Sequence, residues 1–134
     1  MSMNTANPRV SKAADQSAVP SGYKRTEVGV IPEDWKIVSL GSVTTLIGDG
    51  IHATPIYSQY GDYYFINGNN IRDGQVVITV ETKSVDHSEF RKYRKELNNQ
   101  TVLLSINSTI GNVAIYTQEP VVLGKSAAYL NVKN

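Results

Sequence analysis

From residue 22 onward the apolar positions come in short runs that are β-branched or aromatic: VTTLI, YYFI, QVVITV, TVLLSI, NVAIY, PVVLG and AAYLNV. Turn-forming stretches rich in Gly, Asn and Asp, such as INGNN, RDGQ and NSTIGN, separate them. Runs of this length and composition between such turns predict strands. Residues 86–97, DHSEFRKYRKEL, break the rule: Asp86 and Glu89 form a capping-box-like pair, and Phe90, Tyr93 and Leu97 recur at i, i+3 and i+7. The spacing predicts one amphipathic helix packed on a sheet through those three side chains. Further upstream, Val30, Ile31, Trp35, Val38 and Leu40 are expected to supply the first core material. The fold class is therefore α+β, a twisted mixed or antiparallel sheet with one clear amphipathic helix.

Residues 1–21, small and polar with two prolines and no apolar period, cannot bury enough surface to offset their ordering entropy and are expected to be a disordered leader. The remainder, 22–134, has the length of one domain with a genuine core. No cysteine is present, which excludes disulfide frameworks and thiolate metal sites and suits a reducing compartment. No stretch has the roughly 20 apolar residues of a membrane span, and the N-terminus lacks the pattern of a signal peptide. A cytoplasmic protein without a membrane partner is the expectation. Thirteen Lys and Arg stand against twelve Asp and Glu, a net charge of +1, so affinity for a polyanion has to be local.

GDGIHA, residues 48–53, has the outline G-x-G-x-x-A of a dinucleotide-binding turn. That motif needs a helix directly after the glycines, whereas here Pro55, Gly61 and the β-rich run Tyr63, Tyr64, Phe65, Ile66 follow. A dinucleotide site is not expected. Gly48, Gly50 and Gly68 call for positive φ or close backbone approach instead. Catalysis is equally poorly provided for: His52 and His87 are the sole histidines, no nucleophile or metalloprotease motif surrounds them, and acidic residues are scattered singly. No cofactor and no metal are expected. His87 reads as a solvated first-turn residue, and His52 as either a surface turn residue or a donor to a ligand or nucleic acid.

The helix region is more informative. Residues 83–95 hold five basic residues, Lys83, Arg91, Lys92, Arg94 and Lys95, against Asp86 and Glu89. Lys92 can pair with Glu89 or Glu96, leaving the others weaker claims on local partners. Such a cluster is either a solvated helix face or a phosphate-contacting patch, which binds without reading sequence. The loops offer the complementary set: His52, Thr54, Tyr57, Gln59 and Tyr60 in one, Asn67, Asn69, Asn70, Arg72 and Gln75 in the other. Asn and Gln can bridge adenine, and Arg can bridge guanine, in the major groove. The same residue types also serve simply as tight-turn formers.

Four phrases, in order, carry a resemblance. Thr26, Glu27, Val28, Gly29, Ile31, Pro32, Asp34, Trp35, Leu40 and Gly41 fit T-E-(I/V)-G-x-I-P-x-(D/E)-W-x-x-x-x-L-G. Gly48, Gly50, His52, Thr54 and Pro55 fit G-x-G-x-H-x-T-P, residues 65–74 fit F-I-x-G-x-N-I-R-D-G, and LLSINSTIGNVAI fits L-L-x-x-x-G-T-I-G-x-x-A-I, with Asn107-Ser108 where a glycine is common. Over residues 22–134 the chain thus resembles the DNA specificity (S) subunit of type I restriction-modification systems, and in particular the N-terminal part of its first target recognition domain.

The resemblance implies a partial target recognition domain that reads one half of a bipartite double-stranded DNA site and has no catalysis of its own. Methylation and cleavage, with S-adenosylmethionine, ATP and magnesium, are implied for partner methyltransferase and restriction subunits. The family's spacer helices find no counterpart in this sequence, so a truncated or unusually short relative is expected. On this reading Lys83, Arg91, Lys92, Arg94 and Lys125 hold phosphates, while His52, Thr54, Tyr57, Tyr60, Asn67, Asn69, Asn70 and Arg72 approach base edges. Two rival functions stand beside it. One is an interaction module that associates with itself or with restriction-modification subunits, and the other is a small sugar or nucleotide hydrolase dependent on His52.

Overall fold

The computed structural model describes residues 19–107 and 109–134, so most of the expected leader lies outside the described residues. Two compact units divide the chain between Val38 and Ser39. In the first, strands β1 (Tyr23–Thr26) and β2 (Gly29–Pro32) form an antiparallel hairpin. Its turn is closed by Thr26, whose Oγ1 accepts from the Val28 N–H and donates to the Gly29 carbonyl. Val30 and Ile31 are half-buried there, but Trp35 and Val38 are 61% and 56% exposed, and Leu40, in the second unit, is 60% exposed. The expected first core is thus not formed by these three. Residues 35–39 adopt no regular element, and a two-stranded hairpin offers too little surface to cover large side chains.

The second unit starts with a single helical turn, α1 (Leu40–Val43), capped by the Ser39 hydroxyl accepting from the Ser42 N–H. Strands β3 (Thr44–Asp49), β11 (Ala127–Val132), β8 (Thr101–Ser105) and β9 (Val113–Ile115) make a four-stranded antiparallel sheet in that order. A three-stranded mixed sheet places β4 (Tyr63–Ile66) between β10 (Val121–Leu123), parallel to it, and β7 (Ser84–Val85), antiparallel. The smallest ladder, β5 (Ile71–Arg72) with β6 (Gln75–Val76), turns through Asp73 and Gly74, both at positive φ as a type I′ turn requires. Of the run QVVITV, therefore, just the first two residues are strand. Val77 leaves the ladder to donate its N–H to the Asn70 carbonyl, and Val80 ends fully exposed.

Strands β8 and β11 alternate buried and half-buried positions, and their inner faces supply Leu103, Ala127 and Tyr129 to a core completed by Ile66, Ile71, Ala114, Val121 and Leu123. Polar residues share that inner face, and each is matched. Thr101 and Asn131, cross-strand partners, are joined by a 2.6 Å bond from Thr101 Oγ1 to Asn131 Oδ1, and Ser105 Oγ accepts from the Asn112 N–H. Asn131 also donates from Nδ2 to the Glu96 carbonyl at 2.7 Å.

That last bond explains why helix α2 (His87–Tyr93) is shorter than expected. Arg94 is already extended at ψ 147, and the chain beyond takes no regular element and is held at Glu96 by Asn131. Leu97 packs on the core from this extended segment and not from a further helical turn. Phe90 packs as expected, stacked on Tyr63 at 4.0 Å. Among the described residues no helix is long and apolar enough to cross a membrane. At the departure from the fourth phrase, Asn107 takes φ 70, a conformation asparagine tolerates better than most residues; Ser108 is outside the described residues.

Candidate nucleic-acid interface

The glycine segment forms the end of β3, not a nucleotide loop. Gly48 pairs with Tyr129, whose ring lies where a Cβ would stand, 2.9 Å from its hydroxyl oxygen. Gly50 presses on the carbonyls of Leu123 and Gly124, and the Ile51 N–H bonds the Leu123 carbonyl at 2.8 Å. Close approach, not positive φ, is what Gly48, Gly50 and Gly68 provide, and no helix follows Gly48 and Gly50 before the next strand. The chain is delivered instead into an exposed loop, residues 52–60, beside the β4 end and the loop 67–70.

There the fold forms two adjoining concavities that share Phe65 and Asn67. The larger, about 480 Å³, is lined by Tyr57, Asn69, Asn70, Arg72, Glu81 and Lys83 among others. The smaller, about 210 Å³, is lined by His52, Thr54 and Lys125 with Ile51 and Ala53. Both polar loops of the sequence therefore converge on one surface. Tyr57 and Phe65 face each other at 6.1 Å, and the Lys83 ammonium lies 5.7 Å from the Tyr57 ring centroid. The side chains of Asn69 and Arg72 are exposed and make no hydrogen bond or ion pair among the described residues.

Other residues of the set serve the fold. Asn70 is buried, accepting from the Asn67 N–H and donating to the Val77 carbonyl and to Thr82 Oγ1, so its amide is fully engaged. Asn67 Oδ1 accepts from both the N–H and the hydroxyl of Ser126, and Ser126 Oγ accepts from the Gly68 N–H. These bonds tie the loop 67–70 to the approach of β11. His52 Nε2 donates to Asp49 Oδ2 at 2.8 Å, both side chains being well exposed, and this bond holds the Asp49 carboxyl below the usual carboxylate range.

Tyr60, 86% exposed, lines a different concavity with Gln59, Tyr64 and Val80. Arg91 and Lys92 lie on the exposed face of α2, outside both concavities, and Arg94 lines a groove with Leu46, Phe90 and Leu97. The basic residues are thus spread around the molecule instead of forming one patch. Lys92 pairs with neither Glu89 nor Glu96; its ammonium stands 5.0 Å from the Tyr93 ring centroid. Sequence reasoning missed Phe65, which reads as one more strand residue, and Glu81, whose carboxylate can accept from cytosine N4. It also assigned Glu89 to the capping box. Asp86 does its half, accepting from the Glu89 N–H, but the Glu89 carboxylate reaches 33 residues back to the Ile56 N–H.

Among the described residues no group of three or more His, Cys, Asp or Glu could hold a metal ion. His52 bonds Asp49 and His87 bonds the Tyr63 hydroxyl, and among the described residues neither is hydrogen-bonded to a serine or threonine. What the surface can do is donate and accept hydrogen bonds over aromatic floors, with lysines at its rim.

Residues 32–134 match the family described as the type I restriction modification DNA specificity domain. A Methanocaldococcus jannaschii protein provisionally named the specificity subunit of type I restriction enzyme MjaX is 33% identical over 103 residues, covering 73% of this chain and 24% of that protein. The chain spans about a quarter of that relative's length. The matched region contains both concavities and helix α2, and the chain belongs to the type I restriction-modification DNA specificity domain family.

Proposed function

We propose that the chain reads one half of a bipartite duplex DNA target, as a recognition element that binds and performs no chemistry. The observation that carries this is the convergence of both polar loops on the two concavities, with Arg72 and Asn69 unengaged and Lys83 and Lys125 at the sides. Arg72, Asn69, His52, Thr54 and Tyr57 approach base edges, while Lys83, Lys125, Arg91 and Lys92 take phosphates. Asn70 serves the loop instead of the DNA. Methyltransferase and restriction subunits supply the chemistry, in the cytoplasm where such a complex meets DNA.

Fluorescence anisotropy with a random duplex pool at about 50 and 200 mM salt tests this. Affinity should lie near 10⁻⁴ to 10⁻⁶ M and fall with a log-log slope of about −0.9 per phosphate contact. The Lys83→Gln, Lys125→Gln double variant should flatten that slope by about 0.9 for each lysine. Arg72→Ala should cost about 1–3 kcal/mol on a preferred sequence and little on the pool. Absence of binding at the lower salt would sink the proposal for this chain. A second reading, self-association, is favoured by edge strand β3, whose Leu46 and Ile47 are 40% and 50% exposed.

A further inference from the structure

Glu89 is 8% exposed, and among the described residues no lysine, arginine or histidine forms an ion pair with it. A buried carboxylate without a counter-charge is costly unless hydrogen bonds compensate its lost hydration. At the third position of α2 it could have bonded the cap N–H at little cost in burial. Its Oε1 instead accepts from the Ile56 N–H at 2.8 Å.

The loop it reaches has few other ties. Ile51 is held by the Leu123 carbonyl and Ser58 by the Ser84 carbonyl, each at 2.8 Å. Between them, among the described residues, the Ile56 N–H is the one backbone group of residues 52–57 hydrogen-bonded to another part of the chain. Pro55, buried beside it, has no N–H to give. His52, Thr54 and Tyr57 all hang on this span.

We infer that Glu89 is a positioning residue for sequence reading: it pins the middle of the 52–57 loop to helix α2 so that His52, Thr54 and Tyr57 stay at the concavities. This rests on the DNA-reading function proposed above. Base contacts tolerate misplacement of only about 0.5 Å, whereas phosphate contacts position without discriminating. Loss of the pin should therefore blunt discrimination and leave non-specific binding intact.

The test uses the full chain as native protein, Glu89→Leu and Glu89→Gln, the last keeping an acceptor oxygen of the same shape. Three quantities are read: hydrogen exchange at the Ile56 amide without DNA, affinity for a duplex enriched from a random pool by the native chain, and affinity for the unselected pool. Glu89→Leu should speed Ile56 exchange and weaken the enriched duplex by about tenfold, the scale of one hydrogen bond to a charged group. Pool affinity and salt slope should stay unchanged, and Glu89→Gln should restore both lost properties. Should the leucine variant fail to fold, Glu89→Asp, which keeps the charge and withdraws the acceptor by one methylene, takes its place with the same expectation. Equal weakening on both duplexes, no weakening on either, or failure of Gln to rescue overturns the positioning role. A native chain with no preference for any duplex overturns the DNA-reading function itself, and the exchange result then reports on the pin separately.

Discussion

At Gly50 an added methyl group would land on the carbonyls of Leu123 and Gly124, whereas at Gly74 it would meet open space and only the backbone, at φ +83, would be strained. The two glycines are required for different reasons, and alanine separates them. Gly74→Ala should cost roughly 1–2 kcal/mol, the penalty of a left-handed conformation with a Cβ. Gly50→Ala should cost about 3 kcal/mol or more, since rigid backbone and not a movable side chain stands in the way. Urea unfolding of both variants decides it, and the reverse ranking would mean that Gly50 does not sit against the Leu123 and Gly124 backbone as described. The glycine outline at 48–53 was visible in the sequence, but periodicity cannot say whether a glycine serves a turn or a contact with a strand some 75 residues away.

Helix α2 has seven residues, too few to persist by hydrogen bonding alone, so it depends on its ends and its contacts. Phe90 against Tyr63 supplies one contact and Asp86 supplies the cap. The bonds that Asp86 accepts, from the Ser88 hydroxyl first and then from the Glu89 N–H, hold its carboxyl below the ordinary aspartate range. Because the folded value is depressed, the stabilisation is fully present above the unfolded value and disappears as the pH falls through the folded one. Asp86→Asn keeps a capping oxygen and removes the titration. The native chain's stability relative to Asp86→Asn should therefore fall on acidification below the ordinary aspartate range, read by urea midpoints over a pH series. A difference that stays constant with pH would show that the cap is not formed. The helix start was legible because capping is local, whereas its end was not, since the captor of Glu96 is Asn131, which no local pattern connects to it.

In the whole molecule, β3 leaves an open edge on the four-stranded sheet with Leu46 and Ile47 exposed. Unpaired edges with apolar residues invite pairing with another chain, and a lysine on the edge opposes it. If copies associate there, Ile47→Lys should shift sedimentation to the monomer while stability changes by no more than about 0.5 kcal/mol, as for an exposed site. A concentration-independent monomer mass for the native chain would remove that assembly. With a net charge of +1, the proposed binding to DNA has to come from local groups, and the structure disperses the basic residues: Lys83 and Lys125 at the concavities, Arg91 and Lys92 on α2, Arg94 toward β3.

The strand-rich α+β class, the existence and start of helix α2, and a turn within RDGQ were legible in the sequence, because alternation, capping and turn-residue preference are short-range demands, whereas the type I′ form of that turn came from the structure. The sequence also marked the two loops as polar and unusual. Long-range closure of the fold settles that those loops meet, that the Asn70 side chain is spent on its own chain while those of Asn69 and Arg72 are not, and that Glu89 serves Ile56 instead of its own helix. The tertiary structure likewise left Trp35, Val38 and Leu40 exposed, contrary to their apolar pattern. Each of these depends on which residues distant in sequence become neighbours once the β4–β10 and β3–β11 pairings close. Hydrogen-bond partners and burial are properties of that closure and not of any segment read alone.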